Sequence, residues 1–208
     1  MKESILLACE LLSAGIPFLL AFIFYAHRQK KRGVGLKTGT TILVVMLALY
    51  AIAVFHATGA GTIYDALRYQ LALSPDQINL LLFSKEIDPV GYLLNIVLFL
   101  PLGILVPILR GDRRPFLFTA GAGAAFALLI ELSQLLNNRS TDIDDLLMNT
   151  IGGILGFALY RVWDRRRKAG DYGESASTAI FILSFLVPFL GRFLLFTEMG
   201  LAGWLYGF

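Results

Sequence analysis

Between positions 131 and 149 the chain places Glu131, Gln134, Arg139, Asp142, Asp144, Asp145 and Asn149 where two long apolar segments meet. Grouped carboxylates are hard oxygen ligands of the kind that hold Mg²⁺ or Ca²⁺, and one of them can act as a general base. A guanidinium matches a phosphate or a carboxylate with two parallel hydrogen bonds. The amides add neutral donors and acceptors. The spacing is helical: Glu131 and Gln134 are three apart, Asp142 and Asp145 three, Asp145 and Asn149 four, so each pair shares a helix face.

The elements carrying these residues are membrane spans. The 208-residue chain is 57% apolar and 16% charged, with a mean hydropathy of +0.70, which excludes an ordinary soluble domain. Crossing a hydrocarbon core takes about 20 mostly apolar residues. Six segments qualify: 4–26, 39–58, 89–109, 116–136, 146–163 and 178–196. The expected fold is all-α, one polytopic membrane domain over residues 1–208. The first segment contains Glu10 and lacks a small-residue cleavage site, so it reads as a retained helix. Cys9, the one cysteine, forms no internal disulfide.

Thirteen of the eighteen Lys and Arg residues fall in 27–38, 110–115 and 161–170. Basic loops stay cytoplasmic, which puts both termini outside. The charge is thereby assigned to topology, with anionic-lipid contact as a secondary role and no nucleic-acid partner. The outer loop 59–88 is expected to carry short interfacial helices. Ser74-Pro75-Asp76-Gln77 reads as a capping box, followed by the apolar face Ile78, Leu81 and Leu82. Tyr64 to Leu73 is a second such segment.

With about 1.5 Å of rise per residue, Asn95, Glu131 and Asn149 fall at nearly one depth, with Glu10 in the same outer half. Arg139 and Asp142 to Asp145 lie in the short loop above. Gly152, Gly153 and Gly156, and the small residues 120–125, allow close helix packing. The expected result is a polar pocket open to the outside. Ordinary structural roles compete with that reading. Thr141 with Asp144 is a capping box, and acids in a first turn complement the helix dipole. Glu131 could staple to Arg139, Glu10 has no evident partner, and His56 reads as a lone structural histidine.

The order Asn95-Ile-Val-Leu-Phe99-Leu-Pro101-Leu-Gly103, Glu131-Leu-Ser-Gln134, Arg139, Asp142, Asp144, Asp145, Asn149 and Gly152-Gly153 resembles the VanZ-like family over residues 38–163. The first and last spans, with 164–208 as an extra C-terminal piece, lie outside the resemblance. A family element of the form Asn-Leu-Ile-Pro-Phe is here Asn79-Leu80-Leu81-Leu82-Phe83, without the proline. The resemblance implies a bacterial plasma-membrane protein, linked in some members to resistance against teicoplanin-like lipoglycopeptides. It implies no settled activity.

Three functions follow from the residues. In the first, Asn95, Glu131, Gln134, Arg139, Asp142, Asp144, Asp145 and Asn149 bind a lipid-linked envelope molecule or a lipophilic glycopeptide without catalysis and with no cofactor. In the second, Glu131, Asp142 and Asp145 hold Mg²⁺ or Ca²⁺ in an intramembrane enzyme acting on a lipid-linked phosphate, although no partnered nucleophile is evident. The third, transport or lipid scrambling, is disfavoured because the polarity crowds one leaflet and no inverted repeat appears.

Overall fold

The structure is a computed structural model and describes residues 2–68, 77–84, 87–111, 115–137, 139–164 and 177–207. In chain order the elements are α1 (Lys2–Lys31), α2 (Thr38–Thr58), α3 (Ile63–Arg68), β1 (Ile78–Asn79), α4 (Pro89–Arg110), α5 (Phe116–Gln134), a 3₁₀ turn (Leu135–Asn137), β2 (Thr141–Asp142), α6 (Ile143–Asp164), α7 (Thr178–Leu195) and α8 (Glu198–Tyr206). Six helical stretches among the described residues are long and apolar enough to cross a membrane. Their outward faces carry Leu20, Phe24, Leu49, Leu93 and Leu117, all exposed, as lipid-facing positions must be. Proline sits inside α1, α4 and α7, as membrane helices tolerate.

Helix ends follow local chemistry. Asp88 caps α4 by accepting from Val90 N–H, with Pro89 in the first turn, and Gly111 closes the helix in the left-handed conformation. Gly59 closes α2 in the same way. Thr62 and Asp65 form a reciprocal box at α3: Asp65 Oδ2 accepts from Thr62 N–H at 2.8 Å, and Thr62 Oγ1 accepts from Asp65 N–H at 3.3 Å.

The chain divides into two compact units. The first comprises residues 1–72, 136–138 and 178–208; the second comprises 73–135 and 139–177. In the first unit α7 packs on α1 and α2. Gly191 permits the approach to α1, because a Cβ there would meet Ser13 O and the Pro17 ring. Phe55 and Phe189 meet in its core, ring centroids 5.5 Å apart.

In the second unit α4 and α6 form the tightest seam. A Cβ on Gly103 would collide with Gly153 O, on Gly152 with Ile96 O, and on Gly156 with Leu100 O. Small residues thus bring two backbones together, as expected, but the partner of α6 at that seam is α4. Gly153 has open space where its Cβ would stand. Phe99 and Phe126 join α4 to α5 at 5.8 Å.

The outer loop departs from expectation in one respect. α3 is a short helix within it, but the residues after Gln77 do not continue as a helix. Ile78 and Asn79 pair in parallel with Thr141 and Asp142. An i, i+3, i+4 apolar pattern over so few residues does not separate a helix from an extended segment. Ser74, Pro75 and Asp76 of the expected capping box lie outside the described residues.

Candidate functional site

All eight candidate residues belong to the second unit. The last turns of α5, the start of α6, the first turns of α4 and the β1–β2 pair supply them. Asn95 Nδ2 donates to Asp145 Oδ1 at 2.5 Å, linking α4 to α6. Asp142 accepts from Asn79 Nδ2 at 3.2 and 3.1 Å, and its Oδ1 accepts from Asp144 N–H at 3.1 Å. Asp142 is therefore the cap of α6. The expected Thr141–Asp144 box does not form: Thr141 Oγ1 instead donates to Glu131 O at 2.9 Å, tying β2 to α5. A threonine hydroxyl satisfies either arrangement, and the neighbouring α5 carbonyl wins here.

Asp144 is freed from capping and is 3% exposed. Its Oδ2 accepts from Tyr92 Oη at 2.7 Å, and its carboxylate accepts from Phe83 N–H at 3.0 and 3.1 Å. Phe83 has φ 54, a left-handed conformation that costs a bulky side chain about 1–3 kcal/mol. That conformation aims its N–H at the buried carboxylate. Asn79 fixes the same turn, with Oδ1 accepting from Leu81 N–H at 3.2 Å and Ser84 Oγ at 3.0 Å. The Asn79–Phe83 element thus forms a defined turn here without a proline. Asn79 and Tyr92 are members of the site that the candidate list lacked. Asn79 stood in the family-like element, whereas nothing in the spacing singled out Tyr92.

Glu131 is 3% exposed. One side of its carboxylate receives the Asp142 backbone N–H, and the charges of Asp145, Asp142 and Arg139 all act on it. Its Oε2 has no hydrogen-bond partner among the described residues, and neither has the buried Oδ1 of Asn149. Gln134 is buried and its carbonyl accepts from Arg139 N–H at 3.2 Å; the Arg139 side chain is exposed. Asn149 borders a cavity of about 20 Å³ between α5 and α6, shared with Thr119, Gly123, Gly153 and Phe157.

The arrangement is a set of acids whose hydrogen bonds include amide, phenol and backbone donors, with two buried acceptors left without a partner among the described residues. Among the described residues no three of His, Cys, Asp and Glu converge in a way that could hold a metal ion. Glu131, Asp142 and Asp145 therefore do not assemble as the three-carboxylate ligand set considered from the sequence. Their oxygens are drawn toward Asn79, Asn95 and backbone N–H groups rather than toward one point.

Glu10 does not join this site. It lies in the first unit, where Oε1 accepts from Arg192 Nε and Oε2 meets His56 Nδ1, each at 2.7 Å. His56 is thus not a lone histidine. These partners are 46 and 182 positions from Glu10, beyond the reach of any spacing argument.

The family model VanZ/LLP1 matches residues 16–164, a stretch that begins within α1 and ends with α6. No curated protein and no solved structure matches the chain. The chain is a multi-pass membrane protein and belongs to the VanZ/LLP1 family.

Proposed function

We propose that this member of the VanZ/LLP1 family sits in the bacterial plasma membrane with both termini outside, and uses the polar cluster of its second unit to bind rather than to catalyse. The ligand is a lipid-linked envelope molecule or a lipophilic glycopeptide, and binding lowers the antibiotic's access to its target. The observation that carries this reading is the pair of unpartnered buried acceptors, Glu131 Oε2 and Asn149 Oδ1. A buried acceptor without a partner costs about 1–3 kcal/mol, which a ligand bringing amide N–H or hydroxyl groups recovers. Peptide and sugar portions of glycopeptides and cell-wall precursors are rich in both.

Arg139, exposed beside this cluster, matches a ligand phosphate or carboxylate. Asn95, Gln134, Asp142, Asp144 and Asp145 hold the frame in register. The absence of a converging carboxylate triad among the described residues favours binding over a metal-dependent attack on a lipid-linked phosphate.

In cells, Asp145→Asn should weaken protection against a teicoplanin-like drug at unchanged expression, because its carboxylate anchors Asn95. Lipid-linked precursor incubated with the pure protein should come back unaltered. A new product in that incubation, lost in Asp145→Asn, would overturn the binding assignment.

A further inference from the structure

The first unit contains a second polar centre. The start of α1, the end of α2, the end of α7 and the start of α8 enclose a cavity of about 290 Å³ whose polar lining includes Glu3, Glu10, His56, Arg192 and Glu198. Leu6, Leu7 and Phe196 form its apolar wall. Glu10 and Arg192 lie outside the family match over 16–164 and His56 lies within it, so this cavity joins the family region to the ends of the chain that flank it.

Arg192 is 7% exposed and brings five N–H donors. Nε is committed to Glu10 and Nη1 donates to Ala60 O. Among the described residues Nη2 has no hydrogen-bond partner. This donor faces the cavity and suits an anionic oxygen. Glu10 already balances Arg192, which leaves the exposed Glu3 and Glu198 without an ion-pair partner among the described residues. Those two carboxylates suit a cation. The cavity is therefore built for both signs of charge beside an apolar wall, at the end of apolar spans.

The cation is constrained further. A quaternary ammonium is held by open aromatic faces, but the Phe196 ring is already covered by the Arg192 guanidinium, 5.5 Å from its centroid. The remaining acceptors are carboxylates, which reward N–H donors. We propose that this cavity binds the headgroup of a primary-amine phospholipid. The phosphate is held by Arg192 Nη2, the ammonium by Glu3 and Glu198, and the chains run along Leu6, Leu7 and Phe196. This site is independent of the binding cluster in the second unit.

The test is native mass spectrometry of the full chain in detergent, offered equal amounts of phosphatidylethanolamine, phosphatidylcholine and phosphatidylglycerol with matched acyl chains. Wild type should retain phosphatidylethanolamine over the other two by about tenfold, the worth of one charge-assisted hydrogen bond. Glu3→Gln/Glu198→Gln alters only exposed side chains and should remove the preference over phosphatidylglycerol. Equal retention of the three lipids by wild type, or an unchanged preference in the double variant, would overturn the proposal.

Discussion

The two units solve the problem of polar groups in an apolar protein in opposite ways. In the first, Glu10 and Arg192 compensate one another as charges and His56 Nδ1 meets the same carboxylate, the three brought together from three helices. In the second, the hydrogen bonds to Asp142, Asp144 and Asp145 include those from the Asn79 and Asn95 amides, the Tyr92 hydroxyl and the Phe83 N–H. A compensated pair satisfies its own demands and anchors helices. In the second unit two buried acceptors, Glu131 Oε2 and Asn149 Oδ1, have no hydrogen-bond partner among the described residues. The first pattern is a staple with a guanidinium donor to spare beside a cavity; the second leaves buried acceptors to spare.

The comparison is broken most severely at Arg192. Arg192→Gln leaves Glu10 buried and uncompensated, at a cost of about 3–5 kcal/mol. The double variant Glu10→Gln/Arg192→Gln should lose less than the single one, as read by thermal unfolding in detergent. A double variant as damaged as the sum of both single ones would mean that the charges are not coupled. Next is the α4–α6 seam: Gly152→Ala or Gly156→Ala should cost about 1–3 kcal/mol by forcing backbones apart. Gly153→Ala, with open space at its Cβ, should be nearly silent.

Tyr92→Phe withdraws the hydroxyl from Asp144 and leaves Phe83 N–H in place. About 1–3 kcal/mol should be lost if the carboxylate then goes short of a partner. Proteolysis of the 80–84 turn should speed up in step, and an unaltered turn would show that Phe83 holds its conformation without the Asp144 network.

What was readable from the residues divides along the same line. The spans were legible because apolar length is a local property, and the cluster from Glu131 to Asn149 was legible because its members stand at helical spacings. The Glu10 centre was not, since its partners are far along the chain and no period connects them. The cap of α6 was misplaced by one residue because Thr141 and Asp142 both suit that role until the α5 carbonyl beside Thr141 decides. β1 was hidden because Ile78, Leu81 and Leu82 mimic a helical face, whereas Leu81 and Leu82 are exposed in a turn organised by Asn79.

The smallest structural change carries the most direct test. Glu131→Gln preserves shape and gives the unpartnered oxygen's position a neutral amide, so unfolding should shift by only about 1 kcal/mol, the size of one net hydrogen bond. Titration of the purified full chain with a fluorescent teicoplanin-like lipoglycopeptide, and separately with a lipid-linked cell-wall precursor, should show at least one of them binding wild type. Glu131→Gln should bind that ligand about tenfold more weakly, the worth of one buried hydrogen bond. Equal affinity for both proteins, or a loss of binding that only accompanies a loss of stability, would contradict the assignment of this cluster as a ligand site.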